Sequence, residues 1–198
     1  GHQFGPTVLH LLQGMTSLES LSLDPLEDHY LLEGILKETP NLTMLETWKA
    51  RFSFELLPKL RILHCFYVNP LLLHSSLPDL KSITELRLVG NVPSWPAIPN
   101  LQSLYHAHLN ATDLATVYDT LHTWPHMSRL ELIQEFGNLV PITALVKALP
   151  LLSNLTYLEL SVHKWDNEVL EQVAQVLPHT LTALKLCKLN KVTHLTPL

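Results

Sequence analysis

The stretch "LPHTLTALKL" (177–186) places a proline before leucines three, six and eight positions further on. Nearly the same phrase returns as "LPLLSNLTYLEL" (149–160), "WPHMSRLEL" (124–132), "IPNLQSLYHAHL" (98–109), "LPDLKSITELRL" (77–88), "LPKLRILHCF" (57–66) and "TPNLTMLETW" (39–48). A proline-free version, "MTSLESLSL" (15–23), stands near the start. Aligned on the first leucine of Leu-x-x-Leu-x-Leu, the copies begin at Leu18, Leu42, Leu60, Ile83, Leu101, Met127, Leu155 and Leu181. Successive starts lie 24, 18, 23, 18, 26, 28 and 26 residues apart. Chance in a leucine-rich composition does not produce eight copies with one offset pattern. One module is repeated along the chain.

The offsets carry a physical reading. Positions four and six of each copy share a face at strand period two, so both point inward while position five points outward. The inward pairs are Leu21/Leu23, Leu45/Thr47, Leu63/Cys65, Leu86/Leu88, Leu104/His106, Leu130/Leu132, Leu158/Leu160 and Leu184/Leu186. Proline donates no ladder hydrogen bond, so it is expected just before the strand, where it stops the preceding helix. Helical patterns lie between strands at 28–38, 112–124 and 166–177. In the last, Val169, Leu170, Val173, Val176 and Leu177 form one apolar stripe, with Asp166 or Asn167 as the cap. The 18-residue repeats have no room for a full helix and should cross with a turn or one 3₁₀ segment. In "LPDLKSITEL" and "LPLLSNLTYL" the proline stands three residues further from the strand, which reads as an added turn. A single repeat cannot bury its own leucines, so stacking builds one continuous core. The expected fold is a single α/β domain over 1–198, a solenoid with a curved parallel sheet of about eight strands on its concave face. Helices and turns form the convex side.

These motifs resemble leucine-rich-repeat proteins along nearly the whole chain. Only "ITELRLVGN" (83–91) also carries that family's Asn three places after the last Leu. The irregular repeat lengths, the "LPxLxxLxL" phrasing and the scarcity of Asn are similar to the intracellular repeat domains of F-box proteins, fungal ones especially. The resemblance implies a protein-binding module, with substrate recognition for an F-box-type ubiquitin ligase as its role. The alternative is an extracellular, receptor-type recognition domain, for which the triplets Asn41-Leu-Thr, Asn110-Ala-Thr and Asn154-Leu-Thr would be glycosylation acceptors. Asn is also a common turn residue, and two of these triplets fall immediately before a strand.

The totals narrow the function classes. Hydrophobic residues make up 46% and charged residues 16%, which excludes a disordered tail. A net charge of −5 without any Lys/Arg run leaves no footprint for nucleic acid or an anionic membrane. No apolar stretch reaches the ~18–20 residues a membrane-spanning helix needs. Two cysteines, Cys65 and Cys187, are too few for a disulfide scaffold and fit an intracellular, reducing compartment. Gly1-His2 reads as a cloning remnant, and the chain as a fragment continuing beyond Leu198 or covered there by another subunit.

At the outward fifth position, neighbouring strands form a ladder of Ser22, Glu46, His64, Arg87, Tyr105, Glu131, Glu159 and Lys185. Glu131 and Glu159 are adjacent, at a separation that suits the carboxylate pair of a retaining glycosidase. An open sheet excludes no water and raises neither pKa, and Arg129 and Lys185 stand close enough to neutralise the pair. His64 and His106 are two strands apart, roughly 10 Å, too far to share one Zn²⁺. His106 takes an inward leucine position, as a hydrogen-bonded core histidine would. There is no glycine-rich phosphate loop and no activated nucleophile, so neither an enzyme, a cofactor nor a metal is expected. What remains is surface. Trp48 and Phe66 occupy the seventh position of neighbouring repeats, with Tyr67 beside them and Tyr105 two strands on. Glu46, Trp48, His64, Phe66, Tyr67, Arg87, Tyr105, Glu131 and Glu159 are thus the candidate contacts for a protein or peptide ligand.

Overall fold

The fourth and sixth positions of the repeats decide the architecture. Leu45, Leu63, Leu86, Leu104, Leu130 and Leu158 expose no surface, and each stands beside the next across a strand pair. The structure, a computed structural model, describes residues 14–23, 29–50, 54–68, 82–90, 92, 95, 98–107, 111–134, 142–161 and 165–189. Within them lie eight strands: β1 (Ser20–Leu23), β2 (Met44–Ala50), β3 (Ile62–Val68), β4 (Glu85–Val89), β5 (Ser103–Ala107), β6 (Arg129–Ile133), β7 (Tyr157–Ser161) and β8 (Ala183–Leu186). They form one sheet in sequence order, every neighbouring pair parallel. Register follows the leucine alignment without a slip, from Leu21 opposite Leu45 through to Leu158 opposite Leu184. A one-residue slip would turn every inward leucine to solvent, so burial of one face fixes the register.

Four helices belong to the described residues: α1 (His29–Glu38), α2 (Ala111–Thr120), α3 (Ile142–Ala148) and α4 (Asn167–Ala174). Their apolar residues, among them Leu36, Leu114, Leu145 and Val173, share one buried cluster with the inward strand leucines. Helices therefore cover one sheet face. Asp166, not Asn167, caps α4, its carboxylate accepting from Val169 N at 2.9 Å. In the apolar stripe of α4 only Val173 is fully buried, the others being half-buried. Helix α3 departs from expectation, since "ITALVKA" is short and apolar almost all round and shows no clear helical stripe. The 18-residue repeat after β2 crosses by a 3₁₀ turn at Phe54–Leu56, as its length requires.

Proline has a more specific place than a helix stop. In Thr39-Pro40-Asn41-Leu42, Leu57-Pro58-Lys59-Leu60, Ile98-Pro99-Asn100-Leu101 and Trp124-Pro125-His126-Met127, the fourth N–H donates to the first carbonyl. Proline is the second residue of each β-turn, where its fixed φ is already correct. The reading of "LPLLSNLTYL" as an added turn is corrected by the same geometry. There Leu152-Ser153-Asn154-Leu155 is the equivalent turn, and Pro150 sits earlier, in the 3₁₀ segment Leu149–Leu151 that continues α3. The proline moved, while the turn and strand kept their spacing. The corresponding turn of "LPDLKSITEL" lies partly outside the described residues.

One residue after each turn a second ladder runs across the sheet. The carbonyl of Ser128 accepts from both Thr156 N and Tyr157 N, and Thr156 repeats this toward Thr182 N and Ala183 N. The pattern extends from Glu19 to Thr182. Where the residue is Ser or Thr, its hydroxyl adds a third bond of 3.0–3.3 Å to the same carbonyl, at Thr43, Thr84, Ser128, Thr156 and Thr182. Asn41 and Asn154 donate through Nδ2 to the Thr16 and Pro125 carbonyls of the preceding turns, at 2.6 and 2.8 Å. Both residues of these two Asn-x-Thr triplets thus have a place in the fold. Asn110 lies outside the described residues.

Candidate functional site on the open sheet face

Positions three and five face away from the helices, and their side chains choose partners across strands. Along position five the register is Glu46, His64, Arg87, Tyr105, Glu131, Glu159, Lys185, in the predicted order. Position three contributes Glu85, Ser103, Arg129 and Tyr157 in the row beside it. Long charged side chains on this lattice find opposite charges within reach.

At the β2–β4 side, His64 Nε2 lies 2.9 Å from Glu85 Oε1, and its Nδ1 lies 3.8 Å from Glu46 Oε2. At the β6–β8 side, Arg129 Nε donates to Glu131 Oε1 at 2.6 Å, and its guanidinium stacks 3.8 Å from the Tyr157 ring centre. Tyr157 Oη donates to Glu159 Oε2, and Lys185 Nζ to Glu159 Oε1, both at 2.9 Å. The hydrogen bond to Glu131 raises the Arg129 pKa, and those to Glu159 raise the pKa values of Tyr157 and Lys185. Each glutamate of the adjacent pair is therefore held by its own cation. Glu159 is buried although it faces outward, because Tyr157 and Lys185 close over it.

Between these clusters Arg87 stands 4.3 Å over the Tyr105 ring, a cation–π arrangement. Around it Glu85, Leu86, Arg87, Ser103, Tyr105, Arg129 and Glu131 line a shallow depression of about 270 Å³. The depression exists because Ser103, between Glu85 and Arg129 in its row, is short. Nothing in the sequence reading singled out Ser103 or Glu85. A small residue between two long charged ones in the row beside the ladder was the signal.

Trp48 and Phe66 meet as expected, with ring centres 5.2 Å apart and planes tilted by 33°. Trp48 is exposed and Phe66 half-buried. Tyr67 occupies the following β3 position, opposite Lys49, and its side chain lies outside the described residues. His106 lies on the other face, fully buried, its Nε2 2.7 Å from the Gly90 carbonyl and its ring edge-on to Trp95. Trp95 in turn packs edge-on against Trp124. The two cysteines, neither in a disulfide, stand far apart in the sheet order, Cys65 buried in β3 and Cys187 half-buried just after β8. Among the described residues no helix is long and apolar enough to cross a membrane, and no group of three or more His, Cys, Asp or Glu converges on a metal-sized site. Comparison with protein-family models gives no match, and comparison with curated proteins gives no significant one.

Proposed function

We propose that the chain is a leucine-rich-repeat module, a solenoid whose open sheet face is concave and binds a protein or peptide partner. The observation that carries this reading is the sheet face itself. Seven successive strands present one uninterrupted row of polar and aromatic side chains from Glu46 to Lys185, while the helices pack on the other face. Rigid rows of this kind display many side chains at fixed 4.8 Å steps, which suits a partner surface better than a small enclosed substrate. Beside the row, Trp48 and Phe66 supply the amphipathic area typical of a binding hot spot.

The irregular repeat lengths and the turn prolines support placing the module among F-box-type ubiquitin ligases, where it selects the protein to be modified. Chemical crosslinking in cell extract with mass-spectrometric identification tests both levels. Crosslinks should map to the open face, and Trp48→Ala with Phe66→Ala should remove them. The captured protein should accumulate when this chain is depleted. Crosslinks confined to the helical side would overturn the binding surface. An unchanged level of the captured protein would overturn the ligase role.

A further inference from the structure

We infer that the depression around Arg87 is an acid-binding subsite, which takes the carboxylate of an Asp or Glu side chain from an acidic peptide segment of the partner. The inference rests on the binding role of the open face and specifies its chemistry. Within rows three and five, among the described residues, the carboxylates are already engaged. Glu46 and Glu85 flank His64, Glu131 holds Arg129, and Glu159 holds Tyr157 and Lys185. Arg129 and Lys185 are likewise paired. Arg87 alone among the cations of these rows has no carboxylate partner among the described residues.

Its guanidinium is nevertheless placed. It lies 4.3 Å from the Tyr105 ring centre on the neighbouring strand and lines the depression, where a guanidinium can take a planar acceptor through two N–H groups. Ser103, which also lines the depression and whose hydroxyl has no side-chain partner among the described residues, supplies a second donor. The rim sets the charge that fits. Glu85 and Glu131 stand on one diagonal of the depression and Arg87 and Arg129 on the other. Glu85 is turned to His64 and Glu131 to Arg129, which leaves Arg87 to meet one added negative charge. A doubly charged phosphate would meet both rim glutamates at close range.

The test is selection of a random twelve-residue peptide library on the immobilised full chain, followed by calorimetry on the enriched peptides. Binders should contain Asp or Glu, and changing that acid to its amide should weaken binding about tenfold or more, as for a charged hydrogen bond. With Arg87→Gln the same change should have no further effect, and Arg87→Lys should retain the preference for acid. Binders without an acid, or an acid-to-amide loss that persists unchanged in Arg87→Gln, would overturn the subsite while leaving the binding face standing. Phosphoserine binding more tightly than the acid would overturn the carboxylate assignment. A chain that enriches no peptide would overturn the subsite, while the crosslinking experiment decides the binding face separately.

Discussion

His106 Nε2 donates to the carbonyl oxygen of Gly90 at 2.7 Å, which fixes the neutral tautomer and leaves Nδ1 buried without a protein partner among the described residues. Gly90 adopts φ +127°, a conformation that only glycine takes readily. Burial dominates over this hydrogen bond and lowers the His106 pKa from 6.5 to about 4.

A pH dependence follows from that pair. Above pH 6.5 both folded and unfolded chains hold His106 neutral. As pH falls from there toward 4, the unfolded chain takes a proton that the folded chain refuses, so stability declines. The full effect is roughly 3 kcal/mol at 1.36 kcal/mol per pKa unit. Urea unfolding at pH 7 and pH 4.5 should show a smaller decline in His106→Leu than in the parent chain. An equal decline in both would place the acid sensitivity elsewhere.

Core position along the sheet sets the cost of losing a leucine. Leu130 in β6 is fully buried, whereas Leu184 in β8 is only half-buried. Leu130→Ala should cost about 2–5 kcal/mol through its cavity, and Leu184→Ala roughly 1–2 kcal/mol. Equal losses in urea titrations would mean that the β8 side is covered in solution.

Asp166 gives a local test of helix α4. Its carboxylate satisfies the Val169 N–H at an exposed helix start. Asp166→Ala should lower stability by about 1 kcal/mol, and Asp166→Asn by much less, since Asn caps nearly as well. A loss of equal size in both would assign the effect to charge rather than to the cap.

The strand register was legible because Leu-x-x-Leu-x-Leu repeats with a fixed offset, and period-two burial leaves one solution. Fifth-row neighbours followed from it directly. Partners within the rows did not, because a long side chain such as Arg129 reaches Glu131 on its own strand and Tyr157 on the next with equal ease. Glu159 reads as exposed at an outward position, yet Tyr157 and Lys185 bury it. Trp95 and Trp165 lie outside the repeated phrase, so nothing in its period marked them as core, although both are buried. The Ser/Thr row from Thr43 to Thr182 was visible in the sequence, but its meaning depends on a neighbouring carbonyl that only the assembled sheet supplies.

The four tryptophans separate surface from core in one optical experiment. Trp48 is 36% exposed, Trp95 is 7% exposed, and Trp124 and Trp165 expose nothing. Iodide should therefore quench chiefly Trp48, and Trp48→Phe should remove most of the quenchable emission. Trp48 packs on Phe66 at the surface, so Trp48→Ala with Phe66→Ala removes partly solvated area and leaves no closed cavity. For a chain of 198 residues, a loss of about 1–2 kcal/mol corresponds to a melting temperature lower by only a few degrees. Trp124→Ala, by contrast, empties a fully buried site and should cost about 3–5 kcal/mol. If the aromatic double variant melts as early as Trp124→Ala, the Trp48–Phe66 pair belongs to the core, and the open face loses its hydrophobic anchor.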